Sequence, residues 1–426
     1  MLDITEYPLD RLAAAVGTPF YFYDGARMRA SVERFASLLR RPGAAGRYAM
    51  KANSCWKVLE TARNAGLWID AVSGNEVLRA RRAGFPRGSD PPIILLTSDV
   101  FRDNALETVL RERVVPNLGS PGMLRELRDA GYQGPIGVRV NPGFGQGHVE
   151  SCDTGGPSSK HGVWPDQLAA MKREASEARL PVTLLHAHVG TGPELKEFDT
   201  NARRLVDFFL DLLPEFPDAS AVSLGGGIPH PYHAGRAPYG LDRLEPVLAG
   251  AIERFSRAAR RPVRVEIEPG RFLTAGSACL VARVHDVKET GSNDKGPGHT
   301  FVMVDAGFCD LIRPALYGSY HEIEVWGRPT EGAAVEPCVV AGPLCESGDV
   351  FTRSSRELLR PRPLPRPVPG DLLVLQDTGA YGYAMSSNYL SLGRPAEVWW
   401  EKGNATLVGR RQTLEDVIAV EADVPL

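Results

Sequence analysis

A (β/α)8 barrel followed by an all-β domain is the fold that this 426-residue sequence predicts, and three observations predict it. From Arg47 to Arg271, short β-branched runs alternate with stretches of helical period, the pattern of repeated βα units around a parallel sheet. Eight such runs can be counted, the number that closes a TIM-type barrel. After Arg271 the helical period fades and strand-like runs dominate, and because one barrel absorbs about 250 residues, a second domain is required. The expected division is an N-terminal segment 1–30, a barrel 31–271 and a C-terminal β-domain 272–426.

The barrel strands are expected to begin at Tyr48 (YAMKAN), Trp68 (WIDAVS), Ile93 (IILLT), Val114 (VVPNLG), Ile136 (IGVRVNP), Leu184 (LLHAHVG), Ala221 (AVSLGGG) and Val263 (VRVEIEPGR). Helix starts are signalled by Ser73 with Glu76 as a capping box and by Ser120 ahead of Pro121, and an amphipathic helix is expected over Asn201 to Leu213. The Gly-, Ser- and Pro-rich stretch from Asn141 to Trp164 reads as an extended loop on the strand-end face. Five strand-bearing segments follow: FLTAGSACLVARVHDV, HTFVMVDAG, EPCVVAG, DLLVLQDTGAY and AEVWWEKGNATLVGRR. RPRPLPRPVPG, from Arg360 to Gly370, reads as a rigid loop in preference to a polyproline ligand.

Composition narrows the function. With 49 Lys+Arg against 52 Asp+Glu the formal charge is −3, no basic stripe is present, and nucleic acid is not an expected partner. No apolar run reaches about 18 residues, so no membrane-spanning helix is expected. The N-terminus lacks the basic head and long apolar centre of a secretory signal, which points to the cytoplasm. Six cysteines lie far apart without a CxxC pair and read as reduced thiols.

Chemistry in such a barrel gathers where strands end. The first strand ends near Lys51, the sixth at His186 and His188, the seventh at Gly225-Gly226-Gly227 and the eighth at Glu268-Pro269-Gly270-Arg271. A lysine at the end of an apolar strand is expected to be buried, and its free amine attacks aldehydes; the bland alternative is a solvated surface lysine. Consecutive glycines let backbone N–H groups approach a phosphate, or simply form a tight turn. Arg271 adds a guanidinium for that phosphate or for a substrate carboxylate. A carboxylate such as Glu268, facing a pyridine nitrogen, keeps it protonated. His186 and His188 share a face, but no further ligand stands beside them, so no metal is expected. His188 suits stacking on a cofactor ring, and the deeper His186 reads as a packing residue. Together these are the parts of a pyridoxal phosphate enzyme. In the β-domain, Arg313 with Tyr317, Cys345 with Glu346, and Tyr381 stand out as groups for a carboxylate, an ammonium and a proton transfer.

The blocks YAMKAN, DAVSGNE, HAHVGTG, LGGGIPHPY, EPGRF, VDAGFCDLIRPALYGSYHEI, VVAGPLCESGDVF and DTGAYGYAMSSNY run in order through the chain and resemble those of the diaminopimelate decarboxylase family. The resemblance implies an alanine-racemase-like barrel with a β-domain that also packs the N-terminal segment. It further implies pyridoxal 5'-phosphate, and a homodimer whose two active sites share residues. It implies decarboxylation of meso-2,6-diaminopimelate to L-lysine, the last step of lysine biosynthesis. By position, Lys51 would hold the cofactor, His188 would stack on it, and Glu268 would pair with its ring nitrogen. Thr191, Gly227, Pro269, Gly270, Arg271 and Tyr381 would complete the cofactor site. Arg271, Arg313, Tyr317, Glu346 and Tyr381 would hold substrate, and Cys345 would be the proton donor, contributed by the neighbouring subunit. Departures are Thr191 where serine is common, Cys309 in place of asparagine, and Leu390 and Leu392 in place of polar residues. Alternatives on the same fold are a decarboxylase of ornithine, lysine or arginine, a racemase, and a catalytically silent relative.

Overall fold

The computed structural model describes the chain except for residues 146, 148–152, 192–194, 295, 329–331, 333, 355–357 and 424–426. Part of the Asn141–Trp164 loop, with Cys152, therefore lies outside the described residues. A helix, Leu9–Val16, precedes strand β1 (Phe20–Asp24). Eight parallel strands then close into a barrel: β2 (Ala44–Ala49), β3 (Trp68–Ala71), β4 (Ile94–Ser98), β5 (Val115–Leu118), β6 (Ile136–Arg139), β7 (Val182–His186), β8 (Ala221–Ser223) and β9 (Arg264–Ile267). The remaining strands are β10 (Ala278–Glu289), β11 (Thr300–Val304), β12 (Ile323–Val325), β13 (Val335–Ala341), β14 (Arg362–Pro365), β15 (Leu372–Leu375), β16 (Ala396–Glu401) and β17 (Asn404–Gly409). Two compact units result: a barrel unit of Arg29–His230 and Pro238–Leu273, and a sheet unit of Met1–Met28, Pro231–Ala237 and Thr274–Leu426. Among the described residues no helix is long and apolar enough to cross a membrane.

In the barrel, side chains of one face alternate with the pleat, and the inward rows change character along the axis. Leu95, Val115, Leu184 and Ala221 form one apolar cluster. Two residues further along the same strands stand Thr97, Asn117, His186 and Ser223, all polar and buried. Arg139, His186, Ser223 and Glu266 occupy one register across β6 to β9. Arg47 and Glu266, both fully buried, pair at 2.6 Å, and the guanidinium also donates to the carbonyls of Ile69 and Ile93 at 3.2 Å. That satisfaction is what makes a buried charge pair tolerable.

Helix starts follow the sequence with local differences. Ser73 Oγ accepts the Glu76 N–H at 3.1 Å, but the Glu76 carboxylate reaches past the cap to the Val72 N–H at 2.8 Å. Pro121 opens its helix, while Ser120 Oγ donates to the Asp99 carbonyl and makes no cap. The helix expected from Asn201 begins at Leu195.

The sheet unit runs β14-β13-β11-β10-β1-β16-β17, with β15 joining β10 to β12. β1, FYFYD, is buried from Phe20 to Tyr23 and is not an expected strand, because four consecutive aromatics show no alternation of apolar and polar. The last segment is a hairpin of β16 and β17 turning through Lys402 and Gly403, both at positive φ. The Pro-rich stretch is not wholly a loop: Arg362–Pro365 is β14, antiparallel to β13 at the end of the sheet path. Proline is tolerated there because an outward edge needs no N–H donor.

Candidate active site

The barrel rim gathers the strand-end residues. Lys51 sits on a 3-10 turn, Met50–Ala52, directly after β2. Contrary to the expected burial, Lys51 is exposed, while Met50 and Ala52 on either side of it in the turn are buried. Its charge nevertheless acts on three neighbours, opposing the rise that burial gives the pKa values of Asp70 and Glu76 and adding to the fall of that of His188. The turn is packed against the Glu268–Arg271 segment. Ala49 N–H donates to the Pro269 carbonyl at 3.2 Å, and a Cβ on Gly270 would come within 2.9 Å of the Ala49 oxygen and of Ala52 Cβ.

Glu268 is 6% exposed, and both its oxygens are held: Oε2 by His186 Nε2 at 2.9 Å and Oε1 by the Ser223 hydroxyl at 2.8 Å. Ser223 Oγ in turn accepts the Gly225 N–H at 3.1 Å. Burial opposes ionisation, but the His186 and Arg47 charges and the two side-chain hydrogen bonds outweigh it and hold the Glu268 pKa well below the ordinary carboxylate range. His186 is therefore more than a packing residue; it is a hydrogen-bond partner of the buried Glu268 carboxylate. Asp70 behaves in the opposite way. Burial and the Glu268 charge raise its pKa, with Lys51 and a hydrogen bond to Thr97 opposing.

The triple glycine is required by close approach. A Cβ on Gly225 would meet the Ala187 oxygen at 2.5 Å, and one on Gly226 or Gly227 would collide with the carbonyl of Glu268 or Gly190. Gly226 N–H donates to His188 Nδ1 at 3.1 Å, so that nitrogen carries no proton. Burial, with the Lys51 and Arg139 charges, pushes the His188 pKa well below its usual value. A neutral, flat imidazole is thus fixed beside the glycine turn. Thr191 lies just past it, after Gly190, and Arg271 opens a short helix, Arg271–Thr274. Described parts of the long loop are tied to the same rim: Thr154 Oγ1 donates to the His188 carbonyl at 3.0 Å, and His161 pairs with Asp99 at 2.7 Å.

Within the sheet unit, Arg313 is 2% exposed and begins a one-turn helix that ends at Tyr317. Its Nη1–H donates to His321 Nε2 at 2.8 Å, and its Cζ lies 4.7 Å from the centre of the Tyr232 ring. Cys345 and Glu346 are exposed on the loop after β13. Buried Asp349 clips that loop, accepting N–H bonds from Phe308 at 2.7 Å and Leu344 at 2.8 Å. Tyr381 takes a left-handed conformation, φ 59°, beside Gly382. Cys309 is buried, and burial with the neighbouring Asp310 pushes its thiol up to about 12. Leu390 and Leu392 are exposed.

Several residues were missed at the sequence level. Asp70, Arg139 and Ser223 stand at strand ends, the same rule that singled out Lys51, and DAVS, GVRVNP and AVSLGGG carried the signal. His321 and Asp349 carry no positional signal of that kind.

The barrel rim fits a pyridoxal group by its own chemistry: an ionised, buried carboxylate for a ring nitrogen, a neutral imidazole face, a glycine cradle and an amine. Residues 26–275 match the family model described as pyridoxal-dependent decarboxylase, pyridoxal binding domain. The chain is 39% identical to the diaminopimelate decarboxylase of Escherichia coli K12, over 98% of this chain and 97% of that protein. It is 40% identical to that of Streptomyces coelicolor, over 97% and 92%. A crystal structure of a diaminopimelate decarboxylase, 39% identical, superposes with a TM-score of 0.88 over 97% of this chain and 95% of that one. Similarity of this extent, from one end to the other, places the chain in the diaminopimelate decarboxylase family of pyridoxal-dependent decarboxylases.

Proposed function

We propose that this protein is a carboxy-lyase that uses pyridoxal 5'-phosphate to convert meso-2,6-diaminopimelate to L-lysine and CO2, closing lysine biosynthesis. The observation that carries the reading is Glu268, a fully enclosed carboxylate kept ionised by His186 and Ser223 on the same rim as Lys51. When bound, the cofactor supplies an aldehyde that condenses with amines and a pyridinium ring that accepts the electron pair left by the departing carboxylate. Lys51 Nζ would hold the cofactor through its aldehyde. Glu268 would keep a ring nitrogen protonated, and neutral His188 would offer a flat face without opposing that charge. Gly227, Thr191, Pro269, Gly270, Arg271 and Tyr381 bind the rest of the cofactor, its phosphate included.

Substrate selection falls to charged groups of both signs. Arg271 and Arg313, with Tyr317 and Tyr381, take the distal carboxylate, and Glu346 takes the distal ammonium. Cys345 Sγ delivers the proton to the carbon that has lost CO2. Exposure of Cys345 and Glu346 suits residues offered to the site of a second copy, so the working form is a homodimer with shared sites. The reaction belongs to the cytoplasm. Ornithine, lysine and arginine, offered as substrates, lack the distal carboxylate that Arg313 is proposed to take.

The test is CO2 release from meso-diaminopimelate, ornithine, lysine and arginine by the purified enzyme, with Lys51→Ala as the control. Release from diaminopimelate alone, lost with Lys51→Ala, is expected. Faster turnover of any of the other three, or retained turnover in the variant, would overturn the reading.

A further inference from the structure

We infer that His321 is a specificity-determining positioning residue, which fixes the Arg313 guanidinium for a substrate carboxylate without cancelling its charge. The inference rests on the reading that Arg313 takes the distal carboxylate. Arginine cannot be deprotonated, so the nitrogen that accepts its Nη1–H at 2.8 Å, His321 Nε2, must be bare. The ring proton is then on Nδ1, and Nδ1–H donates to the Gln376 carbonyl at 2.8 Å. Gln376 directly follows β15, and its own N–H donates to the Glu322 carbonyl at 2.8 Å. The imidazole is thereby anchored to sheet backbone at one nitrogen and steers Arg313 with the other.

On another side the Tyr232 ring lies 4.7 Å from Arg313 Cζ, and it meets His321 edge-on with centroids 5.3 Å apart. Two contacts of different direction, an in-plane hydrogen bond and a ring, define the orientation of a planar fork. Orientation matters because a carboxylate is recognised by two parallel N–H bonds, and a fork already set loses little freedom on binding. The chemistry of the partner matters as much. A glutamate or aspartate in place of His321 would hold Arg313 equally well but neutralise it, and the affinity for a second carboxylate would fall. An imidazole accepts the hydrogen bond and leaves the positive charge intact.

The experiment uses the pyridoxal phosphate-loaded enzyme. Steady-state rates with meso-diaminopimelate, inhibition by L-lysine, which keeps the distal carboxylate, and cofactor affinity are measured for His321→Leu, His321→Gln and Arg313→Ala. His321→Leu is expected to raise both the KM for diaminopimelate and the inhibition constant of lysine by ~10-fold, in line with loss of a hydrogen bond to a charged group. Its kcat should stay within about threefold and its cofactor affinity within about twofold. His321→Gln, which restores a neutral acceptor, should recover most of the loss. Unchanged KM in His321→Leu, or a parallel loss of kcat and cofactor affinity that His321→Gln does not rescue, overturns the inference. Arg313→Ala separates the two levels. If it leaves KM and lysine inhibition unchanged, the reading of Arg313 has failed; if it raises both while His321→Leu does not, only the role of His321 has.

Discussion

Each of the two units buries a histidine beside the charge that its proposed role depends on, and the two imidazoles are used in opposite senses. In the barrel unit His186 Nε2 donates to the Glu268 carboxylate; in the sheet unit His321 Nε2 accepts from the Arg313 guanidinium. The same atom carries a proton in one place and must lack it in the other. The difference follows from what is being held: an anion needs donors to stay ionised while buried, and a cation that must still take a substrate carboxylate needs an acceptor that brings no charge of its own. It also suggests a division of labour, in which the barrel sets the rate and the sheet unit sets recognition.

The strongest test of that division is Glu268→Gln, which keeps the shape and removes the charge. A fall in kcat of ~10²–10³-fold is expected, with KM nearly constant, as for other losses of preorganised charge. Next comes Cys345→Ala. Its residue belongs to the sheet unit, yet a fall in kcat of ~10²-fold is expected if the thiol delivers the proton. That result would show that the division follows charge recognition and not domain membership; a change in KM alone would remove Cys345 from proton transfer.

His186→Leu should lower kcat by ~10-fold and move the acidic limb of its pH profile upward. The sign follows from the depressed pKa of Glu268. In the native protein the ionised form persists well below the usual range and is lost only as pH falls through that low value. Without His186 the carboxylate protonates at higher pH, so activity is lost earlier on acidification. An unshifted limb would mean that Ser223 and Arg47 suffice. The smallest effect concerns stability alone. Burial pushes the pKa of Glu76 up to about 7, above its unfolded value, so its ionisation costs stability progressively as pH rises from the ordinary carboxylate range to 7. Glu76→Gln retains an acceptor for Val72 and should stabilise the apoprotein by ~1 kcal/mol at pH 8 and hardly at pH 5, read by thermal unfolding.

How much of this was legible depended on whether the cause was local. Barrel strands announce themselves because each is a β-branched run bounded by turn residues, and Lys51, His188 and Glu268 follow from the rule that chemistry sits where such strands end. β1 and β14 escaped because one is aromatic on both faces and the other is half proline, so neither alternates. The partner of His186 was not legible because Glu268 lies 82 residues away and only barrel closure brings them together. The burial expected of Lys51 failed for a finer reason: a strand and its turn can be apolar and buried, as Met50 and Ala52 are, while the residue between them stays exposed. The orientation of Arg313 was invisible, since its anchor ends on a main-chain oxygen 55 residues beyond His321.

The ring that backs Arg313 has an unusual address. Tyr232 belongs to Pro231–Ala237, seven residues that leave and re-enter the barrel portion of the chain yet cluster with the sheet unit. Dissecting the gene at the junction after Leu273 would therefore leave the C-terminal fragment without β1, which lies between β10 and β16, and with its Arg313 guanidinium facing no Tyr232 ring. Recombination between relatives that exchanges only the segment after Leu273 would separate this tyrosine from the arginine it supports, so swaps of substrate preference should succeed only when the small excursion travels with that segment.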